Sequence, residues 1–149
     1  MIGRTVSVKE YLSKSTGRFK EIQDGVLRSY ELKTEVVQEL SKYSDDLLIV
    51  IFSAEWCLKD CATKVPIFLL LAENLGIEVR VFGGLVRDAL KSDWRVPPTP
   101  PEVREHGVKK VPHVFILDKS GRQLGEIVES PSPGNTIEED VLQFARKTG

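Results

Sequence analysis

The chain has 149 residues, of which 41% are hydrophobic and 29% are charged, and its formal net charge is −1. This length fits one domain that can bury a sizeable core, and the composition is that of an ordinary globular protein. A net charge so close to zero gives no electrostatic reason to expect nucleic acid or a membrane surface as a partner.

The N-terminal residues 1–20 lack the continuous apolar segment of a secretory signal peptide. No apolar run approaches the about 20 residues that are needed to span a bilayer. These features predict a cytoplasmic protein. Thiols in that compartment are mostly reduced, so a close pair of cysteines there is more typical of catalysis or metal binding than of a structural disulfide.

The first third of the chain predicts an extension followed by one helix. Residues 1–25 are polar and weakly patterned, which fits either an extension or a partly ordered arm. Residues 26–44 carry apolar side chains at helical spacing, and Asp24 could cap that helix.

A strand, a helix and a second strand follow. The run LLIVIFSA (47–54) predicts a strand that is buried on both faces. Residues 61–76 predict a helix with Gly76 as its C-cap. The alternating segment IEVRVFGG (77–84) predicts the second strand, which ends at paired glycines.

The region between residues 85 and 107 is harder to assign. VRDALKSDW (86–94) suggests a short helix, and the proline-rich RVPPTPP cannot form regular structure. A further helix is expected between Thr99, as N-cap, and Gly107. Two strands, VPHVFILD and RQLGEIVE, flank a KSG turn, and a last helix begins at Thr136, which has capping-box spacing to Glu139.

This order of elements predicts an α/β fold with a mixed central sheet of about four strands and helices on both faces. We expect a single domain over residues 1–149. Within it, residues 1–46 form an N-terminal extension and helix, and residues 47–149 form the core.

The two cysteines of the chain, Cys57 and Cys61, lie in SAEWCLKDCATKVP, just after the first predicted strand. The pair could be a redox-active dithiol, part of a metal site, or two core residues that happen to lie close together. The residue types alone do not decide among these readings.

From Leu47 onward the sequence resembles the thioredoxin family. A buried strand leads into AEWC, and Pro66 follows the second cysteine by five residues, where thioredoxins kink their active-site helix. GVKKVPHVFILDKSGRQLGEIVE resembles the thioredoxin stretch that carries the cis-proline, a strand, a turn glycine and the last strand. The resemblance implies a thioredoxin-like three-layer α/β/α sandwich, with Pro112 as the cis-proline and Val111 as the residue whose backbone pairs with substrate.

Three features depart from the family. The motif is Cys-x-x-x-Cys, one residue longer than usual, and Asp60 stands where thioredoxins usually carry proline. Ile51 occupies the position of the buried aspartate that relays a proton in thioredoxins. No side chain is then evident to deprotonate Cys61, which predicts slow reductase turnover.

The predicted position of Cys57, where a strand ends and a helix begins, favours a thiolate. Lys59 would assist, whereas Glu55 and Asp60 would oppose it through their negative charge. On a regular helix the Cα atoms at i and i+4 are about 6 Å apart, within disulfide range. Alternatively, the extra residue loops out and leaves Cys61 at its usual place.

The resemblance implies a thiol–disulfide oxidoreductase in which Cys57 attacks a disulfide and Cys61 resolves the mixed disulfide. The expected partners are a disulfide-containing protein or a small thiol, with a reductant of the thioredoxin-reductase type, and no cofactor is expected. The candidate substrate-binding residues are Trp56, Val111, Pro112 and His113.

Two alternatives remain open. The first is a thioredoxin-fold binding or redox-sensing module with little turnover, which presents the surface around Trp56 and Pro112 to a partner. The second is a metal or thiol-metabolite site made of Cys57, Cys61 and His113. No fourth ligand is visible in the sequence, so we expect no metal there.

Overall fold

The computed structural model describes residues 3–90 and 93–148. The helices are α1 (Val8–Ser13), α2 (Gly17–Ser29), α3 (Thr34–Leu40), α4 (Cys61–Leu75), α5 (Glu102–Glu105) and α6 (Ile137–Ala145), with a 3₁₀ turn at Ser44–Asp46. The strands are β1 (Val6–Ser7), β2 (Leu47–Phe52), β3 (Glu78–Phe82), β4 (Arg87–Asp88), β5 (Asp93–Trp94), β6 (His113–Asp118) and β7 (Gln123–Val128).

Five of these strands form one mixed sheet in the order β1-β3-β2-β6-β7. Strands β2 and β3 are parallel and are joined through α4, whereas β1–β3, β2–β6 and β6–β7 are antiparallel. The α/β sandwich and the mixed sheet predicted from the sequence are confirmed. The sheet has one strand more than expected, because β1 pairs with the outer edge of β3.

Strand β2 is the centre of the core. The apolar residues Ile49, Val50, Ile51 and Phe52 are all fully buried, so both faces of this strand are covered, as its continuous apolar sequence predicts. On one face, Phe52 stacks on Phe82 with 4.6 Å between ring centroids. The site described below lies where this rigid strand ends.

Helix α4 follows directly from the turn after β2. It contains Pro66 in its interior and ends at Gly76, which adopts the left-handed conformation (φ 72°) that glycine tolerates without steric cost. This helix contacts α1, α2, α6 and β3. Helix α6 begins with the predicted capping box, in which the side chains of Thr136 and Glu139 bond each other's backbone N–H groups.

The N-terminal residues differ from the expected extension. Residues 3–25 include β1, α1 and part of α2, and they bury Val8, Leu12 and Phe19. The single helix predicted for residues 26–44 is wrong, because the chain breaks after Ser29 and restarts as α3 at Thr34. Helix α1 has only six residues, too few to show a helical pattern, and both α1 and α2 are stabilised by packing on α4.

The region after β3 also differs. The short helix predicted for residues 86–94 is wrong in its described part, where β4 and β5 pair as a two-stranded ribbon, and residues 91 and 92 lie outside the described residues. Thr99 does not cap α5. Its hydroxyl instead accepts from the Val86 N–H (2.8 Å) and donates to the Val86 carbonyl (3.0 Å), which ties the proline-rich segment to the ribbon.

Among the described residues, no helix combines the length and the apolar character needed to cross a lipid bilayer.

Candidate active site

Of the two cysteines, Cys57 belongs to the turn that joins β2 to α4, and Cys61 is the first residue of α4. Cys57 lies within the turn, where its N–H donates to the Ala54 carbonyl over 3.2 Å, and α4 begins only at Cys61. The N–H of Ala62 donates to the Cys57 carbonyl over 3.1 Å, a wider ring than an α-helical turn closes. Of the two arrangements considered from the sequence, the structure therefore adopts the one in which the extra residue is absorbed by the turn.

The two cysteines are directly connected by a hydrogen bond. The backbone N–H of Cys61 donates to Cys57 Sγ over 3.2 Å, and no disulfide joins the two sulfurs. Cys61 is fully buried, whereas the exposed fraction of Cys57 is 9%. Cys57 is therefore the member of the pair that a substrate can reach.

The surroundings of Cys57 favour its thiolate and lower its pKa to about 6. The largest cause is a hydrogen bond from the Cys61 side chain, and the backbone N–H groups of Cys61 and Asp60 add to it. Partial burial and the nearby charge of Asp60 act in the opposite direction but do not prevail. At neutral pH Cys57 is thus largely an anion, the reactive form of a cysteine.

The pKa of Cys61 is shifted in the opposite direction. Burial, followed by its hydrogen bond to Cys57, raises the pKa of the Cys61 thiol well above its ordinary range. The hydroxyl of Ser53 is the strongest group that lowers this pKa, through a side-chain hydrogen bond to the sulfur. The pair therefore holds one thiolate and one thiol, which is the division of protons that a nucleophile and a resolving cysteine need.

Val111 and Trp56 border Cys57. The Cys57 Sγ lies 3.8 Å from the Val111 carbonyl oxygen, to which it donates when protonated, and the Val111–Pro112 peptide bond is cis. Trp56 is 51% exposed, and its indole N–H donates to the Leu85 carbonyl over 2.8 Å, so the ring is held in place at the surface.

A cavity of about 260 Å³ opens beside Cys57. Two cationic side chains, Arg87 and Lys110, and two carboxylates, Asp60 and Glu129, line it together with Trp56, Cys57 and Val111. Asp60 is paired with Lys64 at 3.2 Å, and Lys110 with Glu129 at 3.7 Å. The site thus offers a reactive sulfur in a pocket of mixed charge.

A family model described as Thioredoxin (Thioredoxin_9) matches residues 5–142 of the chain. The chain belongs to the thioredoxin family. The match includes α1 and most of the residues before β2, so the family covers more of the N-terminal part than the sequence motifs had indicated.

Two solved structures share this thioredoxin-family fold. A protein of unknown function from Pseudomonas aeruginosa has a TM-score of 0.76 and 13% sequence identity, covering 97% of this chain and 94% of its own. An HIV epitope-scaffold has a TM-score of 0.75 and 13% identity, covering 99% of this chain and 96% of its own. No curated protein matches the sequence significantly. At this identity the likeness shows the fold alone.

The His113 side chain lies on the face of the sheet opposite to that of Ser53. In the sheet it pairs with Phe52, whereas Ser53 is the next residue of β2's run and points to the opposite face, towards Cys61. The His113 Nε2 lies 2.8 Å from the Glu126 carboxylate, which accepts a hydrogen bond from the ring, and the ring stacks on Phe115. Within residues 3–90 and 93–148, no group of three or more His, Cys, Asp or Glu side chains is placed to hold a metal ion.

The remaining residues predicted to modulate Cys57 lie at the rim of the turn. Lys59 is exposed, and its carbonyl accepts from the Thr63 hydroxyl over 2.7 Å. The Glu55 carboxylate accepts from the Gly84 N–H over 3.1 Å and from the Tyr11 hydroxyl over 3.2 Å. Glu55 is therefore directed towards α1 and the end of β3.

Two residues near Cys61 were not predicted from the sequence. Ser53 is fully buried, and its hydroxyl lies 2.9 Å from the hydroxyl of Tyr11, which belongs to α1. Ile51 is buried two positions before Ser53 on the same face of β2. The only signal for Ser53 in the sequence was its position two residues after Ile51, on the same face of a strand. The N-terminal sequence gave no signal for Tyr11.

Proposed function

We propose that this protein is a thiol–disulfide oxidoreductase that uses Cys57 as nucleophile and Cys61 as resolving thiol. The observation that carries the proposal is the pair itself: the Cys61 N–H and side chain both donate to Cys57 Sγ and hold its pKa at about 6. A thiolate that a substrate can reach, next to a buried thiol, is the arrangement that thiol–disulfide exchange uses.

The reaction proceeds by two exchanges. The Cys57 thiolate attacks one sulfur of a substrate disulfide, the substrate S–S bond breaks, and the leaving thiolate takes up a proton. Cys61 then loses its proton and attacks Cys57 Sγ, which releases the second substrate thiol and leaves a Cys57–Cys61 disulfide. The substrate gains two electrons, and a dithiol reductant returns the pair to its reduced form. A reducing compartment such as the cytoplasm would supply that reductant.

A protein disulfide is the favoured substrate class. Trp56 and Leu58, two of the large apolar side chains exposed on the described surface, flank Cys57 on either side in sequence. Exposed apolar groups around a reactive sulfur suit a polypeptide better than a small hydrophilic thiol. The backbone of Val111 and the neighbouring Pro112 would position the incoming chain.

Two measurements test this proposal. Alkylation mass shifts with and without dithiothreitol should show that the oxidised protein contains a Cys57–Cys61 disulfide, and equilibration in glutathione buffers should give its reduction potential. In an insulin reduction assay, we expect turnover that Cys57→Ser abolishes.

The variant Cys61→Ser, matched to Cys57→Ser, distinguishes a catalytic pair from a cysteine that is only reactive. Cys61→Ser should leave Cys57 reactive and trap substrates as mixed disulfides that Cys57→Ser does not trap. If the purified protein forms no Cys57–Cys61 disulfide under any glutathione ratio, the oxidoreductase proposal is wrong. A binding or redox-sensing module would then be the better description.

A further inference from the structure

A buried chain of hydroxyl groups leads from Cys61 to the surface. The Ser53 hydroxyl lies 2.9 Å from the Tyr11 hydroxyl, and it is near enough to Cys61 to lower the pKa of that thiol. The Tyr11 hydroxyl donates over 3.2 Å to Oε2 of Glu55, which is exposed. Tyr11 has a single proton and gives it to Glu55, so its oxygen accepts from Ser53 and the Ser53 oxygen keeps a free lone pair. In the resting pair the Cys61 proton bonds Cys57 Sγ, and once Cys57 is held in a mixed disulfide that proton can turn to the Ser53 oxygen.

We infer that Ser53, Tyr11 and Glu55 form a proton relay that deprotonates Cys61 when it resolves a mixed disulfide. This inference rests on the proposed oxidoreductase function. It assigns to three residues the task that a single buried aspartate performs at the position held here by Ile51. Ser53 is the member of the relay next to Cys61, and Tyr11 and Glu55 act through it.

The transfer balances with one proton moved at each link. The Cys61 S–H bond breaks as Ser53 Oγ gains that proton, Ser53 passes its own proton to Tyr11 Oη, and Tyr11 passes its proton to Glu55. The Cys61 thiolate attacks Cys57 Sγ, and the electron pair of the mixed disulfide leaves on the substrate sulfur. Afterwards every hydrogen bond is reversed, so that Ser53 donates to the thiolate and stabilises it.

The surroundings of Tyr11, Glu55 and Cys61 favour proton transfer along the relay. Burial, and next to it the Glu55 carboxylate, raise the pKa of Tyr11, which keeps its hydroxyl protonated and able to act as both donor and acceptor. The Gly84 N–H holds the Glu55 carboxylate in place. In the mixed disulfide Cys57 no longer carries the negative charge that opposes ionisation of Cys61, so the thiol is easiest to deprotonate when resolution requires it.

Cys57 and the outer end of the relay open to different cavities. Tyr11, Glu55, Gly83 and Gly84 line a second cavity of about 260 Å³, and none of the described residues that line it also lines the cavity beside Cys57. Arg4 and Lys14 are the cationic groups of this second cavity, and they are paired with Glu102 and Glu10, respectively. A proton can therefore leave through Glu55 while a substrate covers Cys57.

The test separates the two exchange steps with an aromatic disulfide, dithiobis-nitrobenzoate, whose released thiolate absorbs visible light. Attack by Cys57 releases a first equivalent, and resolution by Cys61 releases a second. In Tyr11→Phe and Glu55→Gln we expect the first phase to stay within about twofold of the unchanged protein. The second phase should be about 10²-fold slower near neutral pH, the lower end of what general base catalysis contributes.

A relay also changes how the second phase depends on pH and on deuterated solvent. The deficit of both variants should shrink as pH rises, since hydroxide then removes the Cys61 proton directly, and the solvent isotope effect on the second phase should fall in the variants. Tyr30→Phe is the matched control, because it removes another tyrosine-to-carboxylate hydrogen bond (2.6 Å to Glu138) far from the cysteines. It should leave both phases unchanged.

The outcomes are distinct. If both variants release the second equivalent at the unchanged rate and with the unchanged pH profile, the relay is wrong and the dithiol function stands. If the unchanged protein releases only one equivalent, the dithiol function fails and the relay fails with it. A working relay also removes the reason for the slow turnover that Ile51 predicts from the sequence.

Discussion

The backbone N–H of Cys61 donates to Cys57 Sγ over 3.2 Å, although the motif contains one residue more than the usual dithiol spacing. The turn before α4 absorbs that residue and still directs the first N–H of the helix at the nucleophilic sulfur. The extra residue therefore does not break the hydrogen bond between the two cysteines.

The first prediction concerns the titration of Cys57. The rate of its alkylation by iodoacetamide should rise with a midpoint near pH 6, because its pKa is lowered to about 6. A cysteine with that pKa is about 90% thiolate at neutral pH, against about 3% for one with an ordinary pKa of about 8.5. Mass spectrometry of the alkylated peptide at a series of pH values would measure the midpoint.

Two variants at position 61 test whether the Cys61 side chain is the cause of the low pKa of Cys57. Cys61→Ala removes the side-chain donor, which is the largest cause of the low pKa, so the midpoint should move upward. Cys61→Ser keeps a hydroxyl donor and should move it less. Equal midpoints in all three proteins would show that the Cys61 side chain does not stabilise the thiolate.

The second prediction tests the relay with a substitution outside it, at a residue that packs against Tyr11. A Cβ added at Gly83 would lie 2.6 Å from Cε1 of Tyr11, so Gly83→Ala must displace the Tyr11 ring. We expect the release of the second aromatic thiol to slow several-fold while the first is unchanged, and the free energy of unfolding to fall by about 1–3 kcal/mol.

Gly25→Ala is the control for that substitution. Gly25 lies inside α2, and an added Cβ would meet nothing within 4 Å. Alanine should raise the free energy of unfolding by about 0.5–1 kcal/mol without altering either release phase. A normal second phase in Gly83→Ala, with Tyr11 demonstrably shifted, would contradict the relay.

The sequence predicted the central fold because local and tertiary signals agree there. β2 is apolar on both faces and lies at the centre of the sheet, and Thr136 and Glu139 form the capping box that their spacing indicates. The cysteines could be found from the sequence as well, because the motif and its flanking Trp56 and Pro66 are contiguous.

The relay could not be predicted in the same way. Tyr11 and Ser53 are 42 residues apart in sequence, and their contact exists only because β1 pairs with β3 and brings α1 over the end of β2. Nothing in the local pattern of residues 1–25 marks Tyr11. Likewise, the predicted proximity of His113 to the cysteines depended on which face of β6 it occupies, and that is set by the register with β2.

The third prediction concerns the contact between β7 and α6. A Cβ at Gly125 would lie 2.2–2.5 Å from atoms of the Phe144 ring, so this glycine lets the ring lie flat against the strand. Gly125→Ala should lower the free energy of unfolding by about 1–3 kcal/mol in urea denaturation. Combined with Phe144→Leu, the loss should be at least about 0.5 kcal/mol smaller than the sum of the two single losses. Strict additivity would show that the ring is not what alanine displaces.

The fourth prediction concerns Glu138, a fully buried carboxylate on α6. It accepts from the Tyr30 hydroxyl (2.6 Å) and from the Lys33 N–H (2.9 Å), and so fastens the segment between α2 and α3 to the C-terminal helix. Glu138→Gln turns one acceptor into a donor that faces another donor, and we expect it to lower the free energy of unfolding by about 2–3 kcal/mol. Tyr30→Phe, which removes a single hydrogen bond, should cost about 1–2 kcal/mol, and Glu35→Gln, which removes an exposed charge from the first turn of α3, should cost less than about 1 kcal/mol. Urea denaturation of the three variants would measure these losses, and a Glu138→Gln loss as small as that of Glu35→Gln would mean that water replaces both bonds and that α6 does not depend on them.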